Sequence, residues 1–317
     1  LPAEIRKDLR SVEQALASTL RAQSSRLSEA ANLVLKAGGK RLRPALVLIS
    51  GRVGDYDLAG LLPAALTVEL IHMASLIHDD ILDEASLRRG SPTINSVWDR
   101  KTAVAVGDYI FGIAFVHLSK LGNPQIIDVM AEASESLSQG EWLELSLAFD
   151  PDQTIDDYMR RINKKTASLF SACCLAGGLL SGARVGEIEA LKRFGENLGV
   201  AFQIRDDLLD IWGEEATLGK PVGSDLREGI ATLPFFLAQE KGRGNGFLRR
   251  VISTKANSDA QIREAIEIMS ASGAREESER VAKKYLERAL DALQDISREA
   301  TRSELVEVAR FVVERYS

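Results

Sequence analysis

Asp79-Asp80-Ile81-Leu82-Asp83 and Asp206-Asp207-Leu208-Leu209-Asp210 are two copies of one spacing, three carboxylates within five residues, set far apart in the chain. On an α-helix each residue advances about 100°, so Asp79 and Asp83 stand one turn apart on one face with Asp80 at its edge. Asp206, Asp207 and Asp210 repeat the arrangement. Ala74, Leu76, Ile77, Ile81 and Leu82 flank the first cluster, and Val200, Phe202, Ile204, Leu208, Leu209 and Ile211 the second. An acidic triplet taken singly is usually a solvated helix face, but these flanks argue for carboxylates set into apolar helix. Ionised carboxylates there are costly unless compensated, and Mg²⁺ takes carboxylate oxygens while completing its shell with water and phosphate. Two such faces opposed to each other would clamp a diphosphate.

Cations stand where that diphosphate would need them. Gly38-Gly39-Lys40-Arg41-Leu42-Arg43-Pro44 places three basic side chains after a flexible pair and ahead of a helix start, the makings of a phosphate cradle. Arg88 and Arg89, in Leu87-Arg88-Arg89-Gly90-Ser91-Pro92-Thr93, follow Asp83 by about a turn and a half. They either balance its charge or hold two phosphates, one on each side. Lys165-Thr166, Gln203 and the loop Leu218-Gly219-Lys220-Pro221-Val222-Gly223-Ser224-Asp225 complete the polar set, the loop having the glycines and lysine of a phosphate lid.

The elements that must carry these groups are helices. Apolar residues recur at helical spacing, as in Leu9, Val12, Leu16 and Leu20 and again in Val281, Tyr285, Ala289, Leu293 and Ile296, while strand alternation is nearly absent. The expectation is an all-α chain of ten or more helices. Breaks are expected at 38–39, 54–55, 89–92, 122–124, 150–152, 182, 213–223 and 242–246. Prolines 44, 63, 92, 124, 151, 221 and 234 are expected to begin or break helices. No Pro, Gly or Ser-rich linker divides the 317 residues, so one domain over 1–317 is expected, with outer amphipathic helices after Gly246.

Composition narrows the partners. A net charge of −6 gives no global attraction to nucleic acid or to an anionic membrane. Cys173 and Cys174 are adjacent, so they do not bridge each other, and they read as reduced thiols of a cytoplasmic protein. No unbroken apolar run reaches the roughly 20 residues of a membrane span; 61–77 comes nearest, interrupted by Glu69 and His72. The opening Leu1-Pro2-Ala3-Glu4 lacks the pattern of a secretory signal, and the missing Met implies a trimmed or incomplete start.

Five of these elements in order, GGKRLRP, HDDILD, RRGSPT, the second aspartate motif with Gln203, and GKPVGSDL, together resemble the trans-prenyltransferases, or polyprenyl diphosphate synthases. The resemblance spans 38–234. It implies a helical isoprenoid-synthase bundle around a deep central cavity, usually a homodimer, that adds isopentenyl diphosphate head to tail to an allylic diphosphate with Mg²⁺, three ions in the substrate-bound state. It further implies Asp79, Asp83 and Asp206 as principal metal ligands, with Asp80, Asp207 and Asp210 in direct or water-mediated support. Arg88, Lys165 and Lys220 would hold the allylic diphosphate; Lys40, Arg43, His72 and Arg89 the isopentenyl diphosphate; Thr166 and Gln203 would face the carbocation. The chain departs from the pattern at Ile230, where many members carry a lysine, which implies one missing phosphate contact.

Product length follows from the residues one helical turn, about 5.4 Å, before Asp79. Ala74 and Ser75 are small, so an open tunnel and a hexaprenyl or longer product are expected, with Ile71, Leu70, Phe111 or Phe115 as the next floor. The plainer reading is that Ala74 and Ser75 permit close helix packing. Transient membrane contact for product release is expected.

Alternatives are a short-chain farnesyl or geranylgeranyl synthase, the catalytic subunit of a heteromeric synthase, and a non-catalytic subunit, which all six retained aspartates argue against. A terpene cyclase would typically lack the second-diphosphate cradle. A di-iron bundle draws only on Glu69-Leu70-Ile71-His72 and lacks its second ExxH. The apolar segment Val104-Ala105-Val106-Gly107-Asp108-Tyr109-Ile110-Phe111 is the candidate pairing face.

Overall fold

The computed structural model describes residues 3–21, 25–214, 221–242 and 244–314. The expectation of an all-α chain holds. Ten helices lead to the second aspartate motif: α1 (Ala3–Thr19), α2 (Ser25–Lys36), α3 (Leu42–Ser50), α4 (Leu58–Leu82), α5 (Ile94–Val97), α6 (Arg100–Lys120), α7 (Pro124–Leu147), α8 (Ile155–Ile162), α9 (Ser168–Leu180) and α10 (Val185–Trp212). Shorter helices and three longer ones, Asp259–Ala271, Ala274–Ala292 and Glu299–Glu314, follow.

Local chemistry sets many of the boundaries. Asp57 starts α4 by accepting the backbone N–H groups of Ala59 and Gly60, and Asp99 starts α6 by accepting that of Thr102. Thr154 with Asp157 and Ser258 with Gln261 form reciprocal capping boxes, each such cap stabilising its helix by about 1 kcal/mol. The period read in the first helix is the buried stripe itself: Leu9, Val12, Leu16 and Leu20 are all buried. Pro63 corrects the proline expectation. It lies within α4, past the capped first turn, where burial of Leu61, Ala64, Ala65 and Leu66 compensates the lost backbone hydrogen bond.

The described helices gather into two compact units. One comprises the described residues of Leu1–Ser134, Leu169–Gly195 and Ala292–Val308, the other those of Glu135–Ser168, Glu196–Asp291 and Ala309–Ser317. In the first, α4 packs most extensively against α6 and also against α3, and the core includes Leu46, Leu48, Leu70, Ile71 and Phe170. In the second, Tyr158, Ile204, Leu208, Phe235 and Phe236 are buried in one cluster. The expected break at 89–92 is a two-residue hairpin, β1 (Leu87–Arg88) paired antiparallel with β2 (Ser91–Pro92). Its turn residues Arg89 and Gly90 both have positive φ, 53° and 76°, the geometry whose twist matches tight hairpins.

Two helices, α4 and α6, are long and apolar enough to cross a membrane by length and composition. Within α4 the charged and polar interruptions do not lower the mean hydropathy enough to fail that test, and its most apolar window is 67% buried inside the fold, as in a core helix. The same window of α6 is 33% buried, which leaves Val104 and Val116 exposed. Both cysteines are buried and unbridged.

Candidate active site

In the first unit the leading aspartate motif occupies the C-terminal end of α4. The Asp83 N–H donates to the Asp79 carbonyl at 2.8 Å, so the expected one-turn relation survives to the helix cap. The three carboxylates differ in surroundings. Asp79 is half-buried, Asp80 buried and Asp83 exposed. The expectation of uniformly apolar surroundings is therefore corrected: the motif ends the helix, and a helix end opens toward solvent.

Asp80 faces the protein. Its Oδ1 accepts from Arg88 Nε at 2.6 Å. Burial holds the Asp80 carboxyl above its ordinary range, against the lowering pull of Arg88. The backbone around it is tied down as well, with Asn95 donating to the carbonyls of Asp80 and Ala85 at 3.2 and 2.9 Å. Of the arginine pair, Arg88 is the one that meets Asp80. Arg89, at positive φ, instead donates to the carbonyl of Gly38 and so joins the hairpin to the glycine loop. A β-carbon at Gly39 would stand 2.9 Å from one guanidinium nitrogen of Arg89 and 3.3 Å from one of Arg41, so the two guanidiniums crowd this loop.

Arg41 sets the cradle. It stands just before α3 in the left-handed region, φ 48° and ψ 39°, and its buried guanidinium donates to Glu69 Oε1 on α4 at 2.7 Å. This engages Glu69 of the ExxH string in a buried ion pair with Arg41. Lys40 is exposed beside it, and Arg43 lies half-buried with its guanidinium over the Phe170 ring at 5.1 Å. His72 completes the group. Burial first, then the guanidiniums of Arg43, Arg89, Arg88 and Arg41, push its imidazole well below the ordinary value, so it is neutral. Arg43 and Arg89 thus lie close enough to His72 to act on its charge, and exposed Lys40 stands in the chain just before Arg41.

In the second unit the trailing motif lies near the end of α10. Asp206 is exposed, and Asp207 and Asp210 are buried. Asp207 accepts from the Tyr158 hydroxyl on Oδ2 at 2.7 Å and from Gln203 Nε2 on Oδ1 at 2.9 Å. The carbonyl of Gln203 accepts from the Thr166 hydroxyl at 2.7 Å. Burial pushes the Asp207 carboxyl up to about 6, opposed by its two donors and by Arg161. Asp210 anchors the glycine loop: its Oδ2 accepts the Asp225 N–H at 3.1 Å and its carbonyl the Gly223 N–H at 2.7 Å. Lys220, with Leu218 and Gly219, lies outside the described residues.

Lys165 and Thr166 sit in a single π-helical turn, Asn163–Ala167, between α8 and α9. Such turns widen the helix and reorient its side chains. Lys165 Nζ lies 2.6 Å from Glu141 and 2.5 Å from Glu144, both on α7. Gly140 makes this approach possible, since a β-carbon there would collide with the Lys165 backbone. Ile230, half-buried, donates its N–H to the Asp225 carbonyl at 2.8 Å and brings no charge to this unit.

The product-length residues lie along α4 in the first unit. Ala74, Ile71 and Leu70 are buried, and the Ser75 hydroxyl donates to its own helix at His72. Phe111 and Phe115 stack with ring centroids 5.1 Å apart on α6.

Sequence reasoning missed Tyr158, Glu141 and Glu144, and assigned Glu69 only to the di-iron alternative. Nothing local marks Tyr158, because its partner is 49 residues away. Glu141 and Glu144 share a helix face at i, i+3, a signal that gains meaning only beside a cation.

The motif donors are all oxygens, which suits a hard cation such as Mg²⁺ over a thiophilic metal. Among the described residues no three His, Cys, Asp or Glu side chains gather closely enough to hold a metal alone.

Residues 24–269 match the family described as polyprenyl synthetase. The chain is 38% identical over 308 residues to heptaprenyl diphosphate synthase component 2 of Geobacillus stearothermophilus, covering 97% of this chain and 96% of that protein. It superposes with a TM-score of 0.93 on a decaprenyl diphosphate synthase of Rhodobacter capsulatus, at 36% identity over 99% of this chain and 98% of that one. A polyprenyl synthase of Caulobacter crescentus, solved with calcium and isoprenyl diphosphate, also gives 0.93, at 35% identity over 98% and 96% of the two chains.

Proposed function

The chain belongs to the polyprenyl synthetase family, and on that footing we propose that it condenses isopentenyl diphosphate head to tail with an allylic diphosphate to give an all-trans product of six or more isoprene units. One observation carries the long-chain reading: near-complete coverage at 38% and 36% identity with synthases named for seven- and ten-unit products. Buried, small Ala74 on α4 supports it, because a bulky side chain one turn before the motif would close the path of a growing chain.

The all-oxygen motifs and the basic side chains near them support the following roles. Asp79, Asp83 and Asp206 hold Mg²⁺, three ions when substrate is bound, with Asp210 in support. The metal, when bound, stabilises charge on the departing diphosphate. Arg88, Lys165 and Lys220 grip that allylic diphosphate; Lys165 then exchanges part of its pairing with Glu141 and Glu144 for phosphate oxygens. Lys40, Arg43 and Arg89 grip the isopentenyl diphosphate, and neutral His72 contributes a hydrogen bond without adding charge. Thr166 and Gln203 face the allylic cation. The departing diphosphate takes the proton, so no protein base is required. One elongation domain spans 1–317, in a cytoplasmic homodimer paired through the exposed apolar side of α6 at Val104 and Val116.

A second reading, the catalytic subunit of a heteromeric synthase, is favoured by the name of the Geobacillus relative, a component 2. One experiment tests both. The chain purified alone is incubated with Mg²⁺, labelled isopentenyl diphosphate and farnesyl or geranylgeranyl diphosphate, its mass in solution is measured, and the products are sized. Dimeric protein that makes products of 30 carbons or more supports the proposal. Products ending at 20 carbons overturn the chain-length reading, and inactivity of the chain alone favours the heteromer.

A further inference from the structure

Asp207 is the middle carboxylate of the second motif, and both its oxygens are taken by protein donors that come from different elements. Tyr158 reaches Oδ2 from α8 at 2.7 Å, and Gln203 reaches Oδ1 from one helical turn earlier on α10 at 2.9 Å. Tyr158 is only 1% exposed and is braced by the Arg161 guanidinium, 5.5 Å from its ring centroid, and by Phe236 at 6.1 Å between centroids. Arg161 is itself held by the Ala231 carbonyl at 3.0 Å.

The order of donors in this row has one consistent direction. A carboxylate only accepts, so Asp207 demands the amide NH₂ of Gln203. That leaves the Gln203 carbonyl for the Thr166 hydroxyl, which donates to it at 2.7 Å. With its proton committed to Gln203, Thr166 can offer only lone pairs to whatever lies on its other side. Lone pairs stabilise an adjacent developing cation, whereas a hydroxyl proton turned the same way would oppose it. The orientation of the amide, and through it of the hydroxyl, is therefore set at the far end of the row.

We propose that Tyr158 is a positioning residue: by donating to Asp207 it keeps the carboxylate turned toward Gln203, which fixes the Gln203 amide and makes Thr166 an acceptor toward the allylic cation. In this arrangement Asp207 is a structural anchor and not a metal ligand, unlike its neighbours Asp206 and Asp210. The inference deepens the proposed elongation reaction and rests on it.

Tyr158→Phe removes one hydroxyl and keeps the ring packing. It is expected to lower kcat about tenfold, the order of one charge-assisted hydrogen bond, with the KM of both diphosphates within about twofold of wild type. Tyr158 bonds Asp207 and Thr166 bonds Gln203, at opposite ends of the row, so coupling between them is diagnostic. In a Thr166→Val background the same Tyr158→Phe change is expected to alter kcat less than about twofold, because the row no longer ends in a hydroxyl. A separate measurement needs no turnover: the Mg²⁺ midpoint for thermal stabilisation in the presence of inorganic diphosphate. It should stay at the wild-type value in Tyr158→Phe and in Asp207→Asn and be lost in Asp206→Ala. The inference is overturned if Tyr158→Phe leaves kcat within twofold, if its effect multiplies with that of Thr166→Val, or if Asp207→Asn shifts the Mg²⁺ midpoint. Wild-type protein that elongates no allylic diphosphate would instead overturn the reaction itself, which keeps the two failures apart.

Discussion

The two aspartate motifs share a spacing and differ in what holds their middle carboxylate. Asp80, in the first unit, is held by the guanidinium of Arg88 at 2.6 Å. Asp207, buried in the second, is held by a phenol and an amide, both uncharged, the phenol being that of the core residue Tyr158. A charged partner offsets desolvation of Asp80 directly but leaves the pair sensitive to ionic strength, whereas neutral donors fix direction while leaving Asp207 costly to ionise. Identical sequence patterns thus serve different ends. The first motif ties its middle carboxylate to an arginine, and the second places its own at the end of a row of neutral hydrogen bonds through Gln203 to Thr166.

The largest expected effect tests what the motifs have in common. Asp79→Ala and Asp206→Ala should each lower kcat by roughly a thousandfold or more if both grip metal on the departing diphosphate, with circular dichroism confirming the fold. A loss confined to one of them would end the symmetry of the comparison. Product length should belong to α4 alone. Ala74→Phe is expected to shorten the ladder of radiolabelled products, and an unchanged ladder would dismiss α4 as the ruler.

Stability should separate the anchors. Arg88→Ala leaves the Asp80 carboxylate buried without its ion pair and is expected to cost about 2 kcal/mol in urea unfolding, moderated by the partial exposure of Arg88. Tyr158→Phe should cost about 1 kcal/mol. Repeating both in 1 M salt, a condition where exposed charges are screened within about 3 Å, should shrink the first cost and leave the second; equal responses would erase the distinction. The smallest effect concerns pH. The folded pKa of His72 lies below the ordinary 6.5, so the unfolded chain binds a proton there that the fold refuses. Stability is therefore full above about pH 6.5 and falls as pH drops below it. His72→Gln should flatten that part of the melting-temperature profile, and a retained slope would place the titration elsewhere.

Much of this was legible in the chain. The stripe from Leu9 to Leu20 reports a local preference written in neighbouring residues, whereas the caps at Asp57, Asp99, Thr154 and Ser258, equally local, were identified only in the structure. Pro63 was misread because packing around α4 overrides a single lost hydrogen bond.

The aspartate spacings, the glycine and arginine strings and the helical periods by themselves determined an all-α chain with two acidic motifs and a basic loop, since each depends on residues within a turn or two of one another. Only the tertiary structure decided which charges meet: Arg41 with Glu69, Arg88 with Asp80, Lys165 with Glu141 and Glu144, and Tyr158 with Asp207. Most of these partners lie on different elements. Their pairing depends on distance and burial after folding, and side-chain chemistry alone does not tell a carboxylate that will grip metal from one that will anchor a tyrosine.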